Sequence, residues 1–326
     1  MNRSRPVVVV LTADDVPAPA DLGRIEELAQ VRLATADTLA DHLPGADVLL
    51  VWDIFSSALA AAWHTADTLR WMHVAAAGLD AIMFDDLRAS DVLVTNARGV
   101  FDEPMAEYVL ACVLAHDKQL HQTEEFRRRG EWVHRETLRV KGRRVLVVGT
   151  GGIGRAIARI LTAVGLEVRG AGRTVRDDDP DFGAVVSSTE LAEHLADVDH
   201  LVMVAPLTDA TRGMLGAREL AALPDDAHVI NVGRGPLIDQ AALTAEIATG
   251  RLSAHLDVLI DEPLPADDPL WTLPGAHISP HMSGDVIGWR DTLSAQFLEK
   301  LTGYISGREP GPAVDKKRGY VPTTGR

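Results

Sequence analysis

Short apolar runs alternate with helical patterns along almost the whole chain, and this alternation limits the possible folds more than any other feature. A short apolar run between helices is typical of a parallel strand buried on both faces. A first series of runs is followed by a second, and together they comprise residues 7–11, 31–34, 48–52, 69–74 and 92–95, then 145–149, 167–170, 184–186, 200–204, 228–231, 253–257 and 276–279. The pattern predicts an α/β fold with two parallel sheets sandwiched by helices.

Two long helical patterns accompany these strands. One begins near Pro104, whose missing N–H is harmless in a first helical turn, and runs to about residue 128. The other covers about residues 284–306. The length of 326 residues, at roughly 150 residues per domain, also suggests two domains.

The composition argues against several classes of protein. Asp and Glu number 47 against 32 Lys and Arg, a net charge of −15, whereas nucleic-acid-binding proteins normally carry a basic surface. The single Cys112 cannot form an intrachain disulfide or a cysteine-rich zinc module. No apolar run approaches the ~18 residues of a membrane span, and residues 7–11 are too short a run for a signal-peptide core. We therefore expect a cytoplasmic protein that binds neither nucleic acid nor membranes.

A glycine motif follows the first strand of the second series. Residues 145–148 are apolar and lead into Gly149-Thr150-Gly151-Gly152-Ile153-Gly154, after which a helical pattern begins. In such a unit the first glycine of Gly-x-Gly-x-x-Gly permits a tight turn, the second lets a pyrophosphate approach the backbone, and the third lets the helix pack on the strand. The helix N-terminus offers free N–H groups to the phosphates. The segment therefore predicts a dinucleotide-binding domain.

The end of the next strand bears on the choice of coenzyme. An NAD site normally places an acidic residue about 20 residues beyond the motif, where it binds the ribose 2′-hydroxyl. Here Gly172 stands near that position and is followed by Arg173 and Thr174. A cation can pair with a 2′-phosphate, so the sequence predicts that NADP(H) is preferred and that NAD(H) can also bind. The alternative is that Arg173 is a solvated surface residue.

Three polar residues follow successive strands of the second series. Arg234, Glu262 and His281 each come shortly after a predicted strand, and the carboxyl ends of parallel strands face the ligand crevice of such a sheet. Each residue taken alone also has an ordinary structural explanation, as a surface arginine, an exposed carboxylate or a histidine satisfied by packing.

Residues 70–320 resemble the D-isomer-specific 2-hydroxyacid dehydrogenase family. The matching segments occur in the family's order and are Ala76-Ala77-Gly78-Leu79-Asp80, Thr95-Asn96-x-x-Gly99, Ala106-Glu107-Tyr108, residues 149–154, Pro206-Leu207-Thr208-x-x-Thr211, Asn231-Val232-Gly233-Arg234-Gly235, Leu256-Asp257-Val258, Glu262-Pro263-Leu264-Pro265 and Ser279-Pro280-His281-Met282-Ser283.

The resemblance implies reduction of small 2-oxo acids to (R)-2-hydroxy acids with a nicotinamide coenzyme, without a metal. It implies catalytic roles for Arg234, Glu262 and His281: Arg234 clamps the substrate carboxylate and carbonyl, and Glu262 keeps His281 protonated as the acid. Backbone N–H groups near Ala77 and Gly78 would complete the substrate site. The implied cofactor-binding residues are Gly149, Thr150, Gly151, Gly152, Ile153, Gly154, Arg173, Thr174, Pro206, Thr211, Val232, Gly233, Asp257, His281, Ser283 and Gly284.

The resemblance also implies the domain organisation. A dinucleotide-binding domain, residues 113–286, would be inserted within a flavodoxin-like substrate domain made of residues 1–112 and 287–326. The two long helical patterns, from Pro104 to about residue 128 and over about residues 284–306, would link the domains and pair with those of a second copy in a homodimer.

Two other functions remain open on this fold. A formate-oxidising relative needs no proton donor and carries glutamine at the position of Glu262. A non-catalytic, cofactor-sensing corepressor would keep the glycine motif but has little need of the set of Arg234, Glu262 and His281, and fold alone does not decide function.

Overall fold

A computed structural model describes residues 5–321 and divides the chain into two compact units. Unit 1 comprises the described residues up to Val100 and from Ile287 onward, and unit 2 comprises Phe101–Val286. The second boundary coincides with the sequence prediction. The first differs, because residue 112 falls inside helix α5 (Asp102–Asp117), which packs against α7 (Gly152–Ala163) within unit 2.

Unit 1 is built on a five-stranded parallel sheet in the order β2-β1-β3-β4-β5. This is the strand order of flavodoxin-like folds, so that prediction is confirmed. The strands are β1 (Val7–Leu11), β2 (Gln30–Ala34), β3 (Val48–Val51), β4 (Trp71–Val74) and β5 (Leu93–Asn96). The helices are α1 (Leu22–Leu28), α2 (Leu39–His42), α3 (Ala58–Ala62), α4 (Asp85–Ala89) and α10 (Trp289–Ile305), with a 3-10 turn at Trp63–Thr65.

Unit 2 contains an eight-stranded sheet in the order β13-β12-β11-β10-β6-β7-β9-β8. Counted from β6, seven of these strands follow the doubly wound pattern in which the order reverses beside the first strand. The strands are β6 (Arg144–Val148), β7 (Glu167–Gly172), β8 (Arg176–Asp179), β9 (Gly183–Ser187), β10 (His200–Met203), β11 (His228–Asn231), β12 (Ser253–Leu256) and β13 (Ala276–Ile278). Besides α5 and α7, the helices are α6 (Leu120–Arg129), α8 (Ala217–Ala222) and α9 (Gln240–Ala248), with 3-10 segments at Ser188–His194, Gly235–Leu237 and Pro269–Trp271.

The helix predicted from Pro104 to about residue 128 is in fact two helices. Gln119 has a left-handed backbone (φ 50°), which ends α5 and starts α6 in a new direction. The carbonyl of Asp117 accepts a hydrogen bond from the backbone N–H of Leu138 (3.0 Å) instead of continuing the helical ladder. The final helix likewise begins later than predicted, at Trp289, directly after the left-handed Gly288.

Beneath the candidate site lies a core of side chains from the sheet of unit 2 and its covering helices. All residues of β10 and β11 are buried, which explains why most of them are apolar. Because β6, β7 and β10–β13 are parallel, the loops after them emerge at one edge of the sheet. Within residues 5–321, none of the helices combines the length and apolar composition needed to cross a lipid bilayer.

Candidate active site

The glycine motif forms a tight turn between β6 and the N-terminus of α7. Gly149 has φ +123°, and a Cβ there would lie 2.8 Å from the backbone of Val204. A Cβ on Gly154 would lie only 1.9 Å from the carbonyl oxygen of Gly149. Gly151 faces open space and precedes a twelve-residue helix, with no side-chain hydrogen bond at its N-terminus. The turn therefore has the close packing and the open backbone that a pyrophosphate requires.

The end of β7 lies beside this turn. A Cβ on Gly172 would lie 3.0 Å from the hydroxyl of Thr150, so a larger residue would require Thr150 to move. Arg173 and Thr174 follow and are exposed. The end of β7 thus lies next to the glycine turn. It carries Gly172 where an NAD site has an acidic residue, and the cation Arg173 follows directly.

Two acidic residues beyond this point, Asp179 and Asp181, bind other arginines. Asp179 is buried and accepts hydrogen bonds from both terminal nitrogens of Arg155 (2.9 Å each) and from Nε of Arg176 (2.8 Å). Burial raises the pKa of Asp179, but these hydrogen bonds outweigh it and lower the pKa to about 2. Asp181 also binds Arg155 (2.6 Å). Arg176 is therefore held in an ion pair with Asp179.

His281 and Glu262 form a hydrogen-bonded pair at the ends of the last two strands. Nδ1 of His281 lies 2.7 Å from Oε2 of Glu262. The other carboxylate oxygen, Oε1, accepts the N–H of Leu259 at 2.9 Å and is thereby fixed in orientation. Since an ionised carboxylate can only accept, Nδ1 of His281 carries the proton of this hydrogen bond.

Glu262 and His281 each shift the pKa of the other in the direction that favours its charged form. The hydrogen bond to Glu262 raises the pKa of His281, against the opposing effects of burial and of the Arg234 charge. Burial raises the pKa of Glu262, but the hydrogen bond from His281 and the N–H of Leu259 lower it overall. The geometry therefore favours an imidazolium–carboxylate pair.

Asp257 holds the loop that carries His281. Its carboxylate is almost fully buried and accepts the hydroxyl of Ser279 (2.5 Å) and the N–H groups of Met282 and Ser283 (2.9 Å each). Its backbone carbonyl accepts the N–H of His281 at 2.8 Å. These bonds hold His281 in a left-handed conformation (φ 52°) that non-glycine residues rarely adopt. Asp257 thus positions the histidine, a role that the sequence did not suggest.

Arg234 follows β11 on a loop braced by Asn231. The side-chain amide of Asn231 donates to the carbonyl of Arg234 (3.0 Å), and its oxygen accepts the N–H of Gly233 (3.1 Å). A Cβ on Gly235 would lie 2.0 Å from the backbone of Leu259, so this loop packs directly on the segment that orients Glu262. The arginine charge influences the pKa of both Glu262 and His281, which brings the three predicted catalytic residues into one site.

Sequence reasoning missed the roles of Asn231 and Tyr108. The hydroxyl of Tyr108, on α5, lies 2.6 Å from Oγ of Ser279 and extends the network around Asp257. Asn231 stands within a quoted motif, and an asparagine at a strand end before glycine is a signal for such a brace. Tyr108 offers no comparable local signal, because its partner lies 171 residues away.

The remaining predicted residues also lie in strand-end loops. The hydroxyl of Thr211 donates to the carbonyl of Pro206 (2.7 Å) in the loop after β10. Val232 and Gly233 follow β11, and Ser283 and Gly284 follow β13. Ala77 and Gly78 belong to unit 1, where they follow β4, and the side-chain amide of Asn96 donates to the carbonyl of Ala77 (2.7 Å).

A doubly wound sheet with this glycine turn, and an arginine, a glutamate and a histidine at its carboxyl edge, is the architecture of a nicotinamide-dependent oxidoreductase. The model for the NAD-binding domain of D-isomer specific 2-hydroxyacid dehydrogenases matches residues 110–283, more than half of the chain. The chain therefore belongs to the D-isomer specific 2-hydroxyacid dehydrogenase family, as the sequence resemblance predicted. The matched segment coincides closely with unit 2.

Individual relatives extend the similarity beyond this domain. The chain is 30% identical over 257 residues to a glyoxylate/hydroxypyruvate reductase B of Pectobacterium carotovorum, covering 74% of this chain and 78% of the relative. The crystal structure of a D-isomer specific 2-hydroxyacid dehydrogenase from Xanthobacter autotrophicus, in complex with NADPH and MES, is 32% identical with a TM-score of 0.83, covering 97% of this chain and 100% of that one. An NADPH-dependent glyoxylate/hydroxypyruvate reductase from Sinorhizobium meliloti, in complex with NADP and sulfate, is 26% identical with a TM-score of 0.82 and the same coverage.

Proposed function

We propose that this protein reduces small 2-oxo acids to (R)-2-hydroxy acids and prefers NADPH as coenzyme. The observation that carries the proposal is the 2.7 Å hydrogen bond between Nδ1 of His281 and Glu262, with Arg234 close enough to influence both. A protonated histidine beside an arginine is what reduction of a carbonyl next to a carboxylate requires.

The glycine turn of unit 2 fits a dinucleotide. The backbone at Gly151 is open, and the N–H groups at the N-terminus of a helix such as α7 can bind a pyrophosphate; the carboxylate of Asp102, on α5, lies beside Gly152 of the same turn. When bound, the coenzyme supplies the hydride that the carbonyl carbon receives. The other family-derived contacts, from Pro206 and Thr211 to Ser283 and Gly284, belong to the same proposal.

His281 supplies the proton that completes the reduction. As the carbonyl oxygen gains negative charge, Nε2 of the imidazolium transfers its proton to that oxygen, and the ring becomes neutral. Glu262 keeps its hydrogen bond to Nδ1 throughout, so the ring stays in one orientation. Asp257 and Ser279 hold the backbone from which His281 projects.

Arg234 orients the substrate. Its planar guanidinium can bind the carboxylate and the carbonyl oxygen of a 2-oxo acid at once, which a lysine cannot reproduce. The Asn231 brace fixes the backbone on both sides of this arginine. The N–H groups at Ala77 and Gly78 are proposed to bind the substrate carboxylate as well.

The coenzyme preference is supported by what surrounds the end of β7. Gly172 stands where an NAD site has an acidic residue, which would repel a 2′-phosphate. The exposed Arg173 and Thr174 that follow supply a cation and a hydroxyl. Asp179 and Asp181 are engaged by Arg155, so their charges are already compensated. Two similar structures, from Xanthobacter autotrophicus and Sinorhizobium meliloti, contain NADPH and NADP, which agrees with this preference.

The glutamate also separates this proposal from the alternatives. A formate-oxidising enzyme has no use for a proton donor, whereas Glu262 here bonds to His281 and raises its pKa. A corepressor that only senses coenzyme has no need of that pair.

We also propose that the protein is a homodimer, while the cytoplasmic location stays a sequence prediction. The extended segment after α6 displays apolar side chains to solvent, with Trp132 fully exposed and Val133 and Leu138 each 44% exposed. Such a patch is typical of a surface covered by another chain. Light scattering on the purified protein should give twice the chain mass, and Trp132→Ala should shift the mass toward the monomer.

Turnover of a panel of 2-oxo acids with both coenzymes tests the proposed function. Glyoxylate, hydroxypyruvate and phenylpyruvate should each be tried with NADPH and NADH. We expect oxo-acid-dependent coenzyme oxidation and a higher kcat/KM with NADPH. Coenzyme binding without any turnover would support the corepressor instead, and equal kcat/KM for the two coenzymes would refute only the NADPH preference.

A further inference from the structure

Six of the twelve histidines lie together in unit 2, away from the pair of His281 and Glu262. They come from six different elements and touch through their rings: His116, His121, His200, His228, His255 and His277. Four of them form a chain of ring nitrogens. Nε2 of His121 lies 3.0 Å from Nε2 of His255, Nδ1 of His255 lies 2.7 Å from Nε2 of His228, and Nδ1 of His228 lies 3.1 Å from Nδ1 of His200.

A buried carboxylate lies near the inner end of this chain. Nε2 of His200 lies 3.3 Å from Oδ1 of Asp117, whose side chain is fully buried. Nε of Arg143 donates to Nε2 of His200 (3.4 Å) and also lies 3.4 Å from Oδ1 of Asp117, so the charge of the buried carboxylate is compensated.

His255 lies between the buried histidines and the surface. Its Nδ1 faces Nε2 of His228 at 2.7 Å, and its Nε2 faces Nε2 of His121 at 3.0 Å.

The outer end of the chain reaches a cleft at the edge of the sheet. One ring nitrogen each of His121, His255 and His277 lies within 4.8 Å of the others. The cleft has a volume of about 270 Å³, and its walls include His121, His277, Glu125 and Trp271, whereas the third histidine, His255, is buried. Glu125 stands one helical turn after His121 on α6, on the same helix face.

We propose that this cleft binds a divalent transition-metal ion of the Zn²⁺ class through His121, His255 and His277. Neutral imidazoles suit Zn²⁺, Ni²⁺ and Cu²⁺, and three of them with a fourth position for water or Glu125 make a complete tetrahedral set. Metal-binding histidines commonly donate their other ring N–H to a fixed acceptor. For His255 the group in that place is Nε2 of His228, which lies 2.7 Å from its Nδ1.

The distances between the ring nitrogens suit a single Zn²⁺ ion if the ring of His121, the exposed histidine on α6, rotates. Ligand nitrogens around tetrahedral Zn²⁺ are about 3.3 Å apart, close to the 3.0 Å between His121 and His255. The rings of His121 and His277 are stacked at 3.7 Å, so one of them must rotate for both lone pairs to meet a single ion. His121 is exposed on α6 and can rotate without disturbing the core.

Such an ion would tie α6 to the two edge strands. His255 and His277 lie opposite each other in the register of β12 and β13. These strands continue into Asp257 and Ser279, the residues that hold the His281 loop. The role inferred for the metal is structural, and no step of the proposed reduction passes through it. The sequence analysis predicted no metal site, and it did not identify this cluster.

Titration of the full-length, tag-free protein with Zn²⁺ after treatment with a chelator tests the site. Calorimetry should show one tight site per chain, and Co²⁺ should give the visible absorption of a tetrahedral complex. His121→Gln and His277→Gln should each weaken Zn²⁺ binding at least about tenfold, since each removes a direct ligand. His134→Gln, at an exposed histidine of the same unit, is the matched control and should bind as the wild type does.

Thermal unfolding gives a second readout that does not depend on enzyme activity. Zn²⁺ should raise the Tm of the wild type and of His134→Gln equally and that of His121→Gln by less at the same concentration, because a ligand that binds only the folded state stabilises it according to its affinity. The proposal is overturned if the wild type takes up no Zn²⁺, or if binding survives unchanged in His121→Gln and His277→Gln. Neither result would affect the proposed 2-oxo acid reduction.

Discussion

Glu262→Gln removes the charge that keeps His281 protonated while preserving the shape of the side chain. A hydrogen bond to a charged group contributes roughly 1.5–3 kcal/mol, and one pKa unit corresponds to about 1.4 kcal/mol. Because the side chains of Glu262 and His281 are 36% and 35% exposed, solvent screening favours the lower end of this range. We therefore expect the pKa of His281 to fall in Glu262→Gln, and kcat/KM for reduction above that pKa to fall by about tenfold at most.

The sign of the effect on activity follows from the chemistry. Reduction needs protonated His281, so kcat/KM falls as the pH rises through the pKa of this residue. A lower pKa moves that limb of the profile to lower pH. The assay is the pH dependence of kcat/KM for a 2-oxo acid that the wild type reduces, followed by oxidation of NADPH.

Asp261→Asn provides the matched control, since it neutralises the neighbouring exposed carboxylate without touching the pair. Its profile should coincide with that of the wild type. The assignment of Glu262 would be refuted if kcat/KM fell at the same pH in Glu262→Gln as in the wild type. It would also be refuted if Asp261→Asn shifted that pH as much as Glu262→Gln does.

Three further substitutions test the other assignments. His281→Ala should lower kcat for reduction by about 10²–10⁴-fold and leave coenzyme binding, measured by fluorescence titration, largely intact; a near wild-type rate would contradict its role as acid. Arg234→Ala should lower kcat/KM by about 10- to 100-fold, and Arg234→Lys should recover only part of this in steady-state kinetics, because lysine lacks the bidentate fork; full recovery would count against the clamp. Arg173→Ala should raise KM for NADPH about tenfold and leave KM for NADH unchanged, and a parallel rise in both would show that Arg173 does not read the 2′-phosphate.

Much of the fold is predictable from the sequence because the strands are buried on both faces. The runs at residues 48–52 and 228–231 correspond to β3 and β11, each completely buried in the structure. Strand β8 was missed because Arg176–Asp179 is entirely charged and lies antiparallel at the sheet edge. Its stability depends on the pairing of Asp179 with Arg155, a contact that no local pattern reveals.

The break between α5 and α6 escaped prediction for a related reason. The sequence around Gln119 contains no glycine or proline, and the helical pattern continues through residues 120–129. The left-handed turn depends on long-range contacts: the guanidinium of Arg135 donates to the side chain and to the carbonyl of Gln119 (2.6 and 2.8 Å). Contacts of this kind are invisible to periodicity.

The candidate site was predictable as far as parallel strands bring their carboxyl ends together. Arg234, Glu262 and His281 were selected on that ground, and the structure places them in one site. The positioning roles of Asp257 and Asn231 depend on the side-chain geometry of the loops, which the sequence does not specify. The histidine cluster was also missed, because its members are spread from residue 116 to residue 277 and only the strand register aligns them.

The product of the reaction gives the most direct test of the proposed function. Purified protein should be incubated with NADPH and phenylpyruvate or hydroxypyruvate, and the product separated by chiral chromatography. The proposal predicts one (R)-2-hydroxy acid formed for each NADPH consumed, and almost none with His281→Ala. An (S) or racemic product, or NADPH consumption without any 2-hydroxy acid, would contradict it.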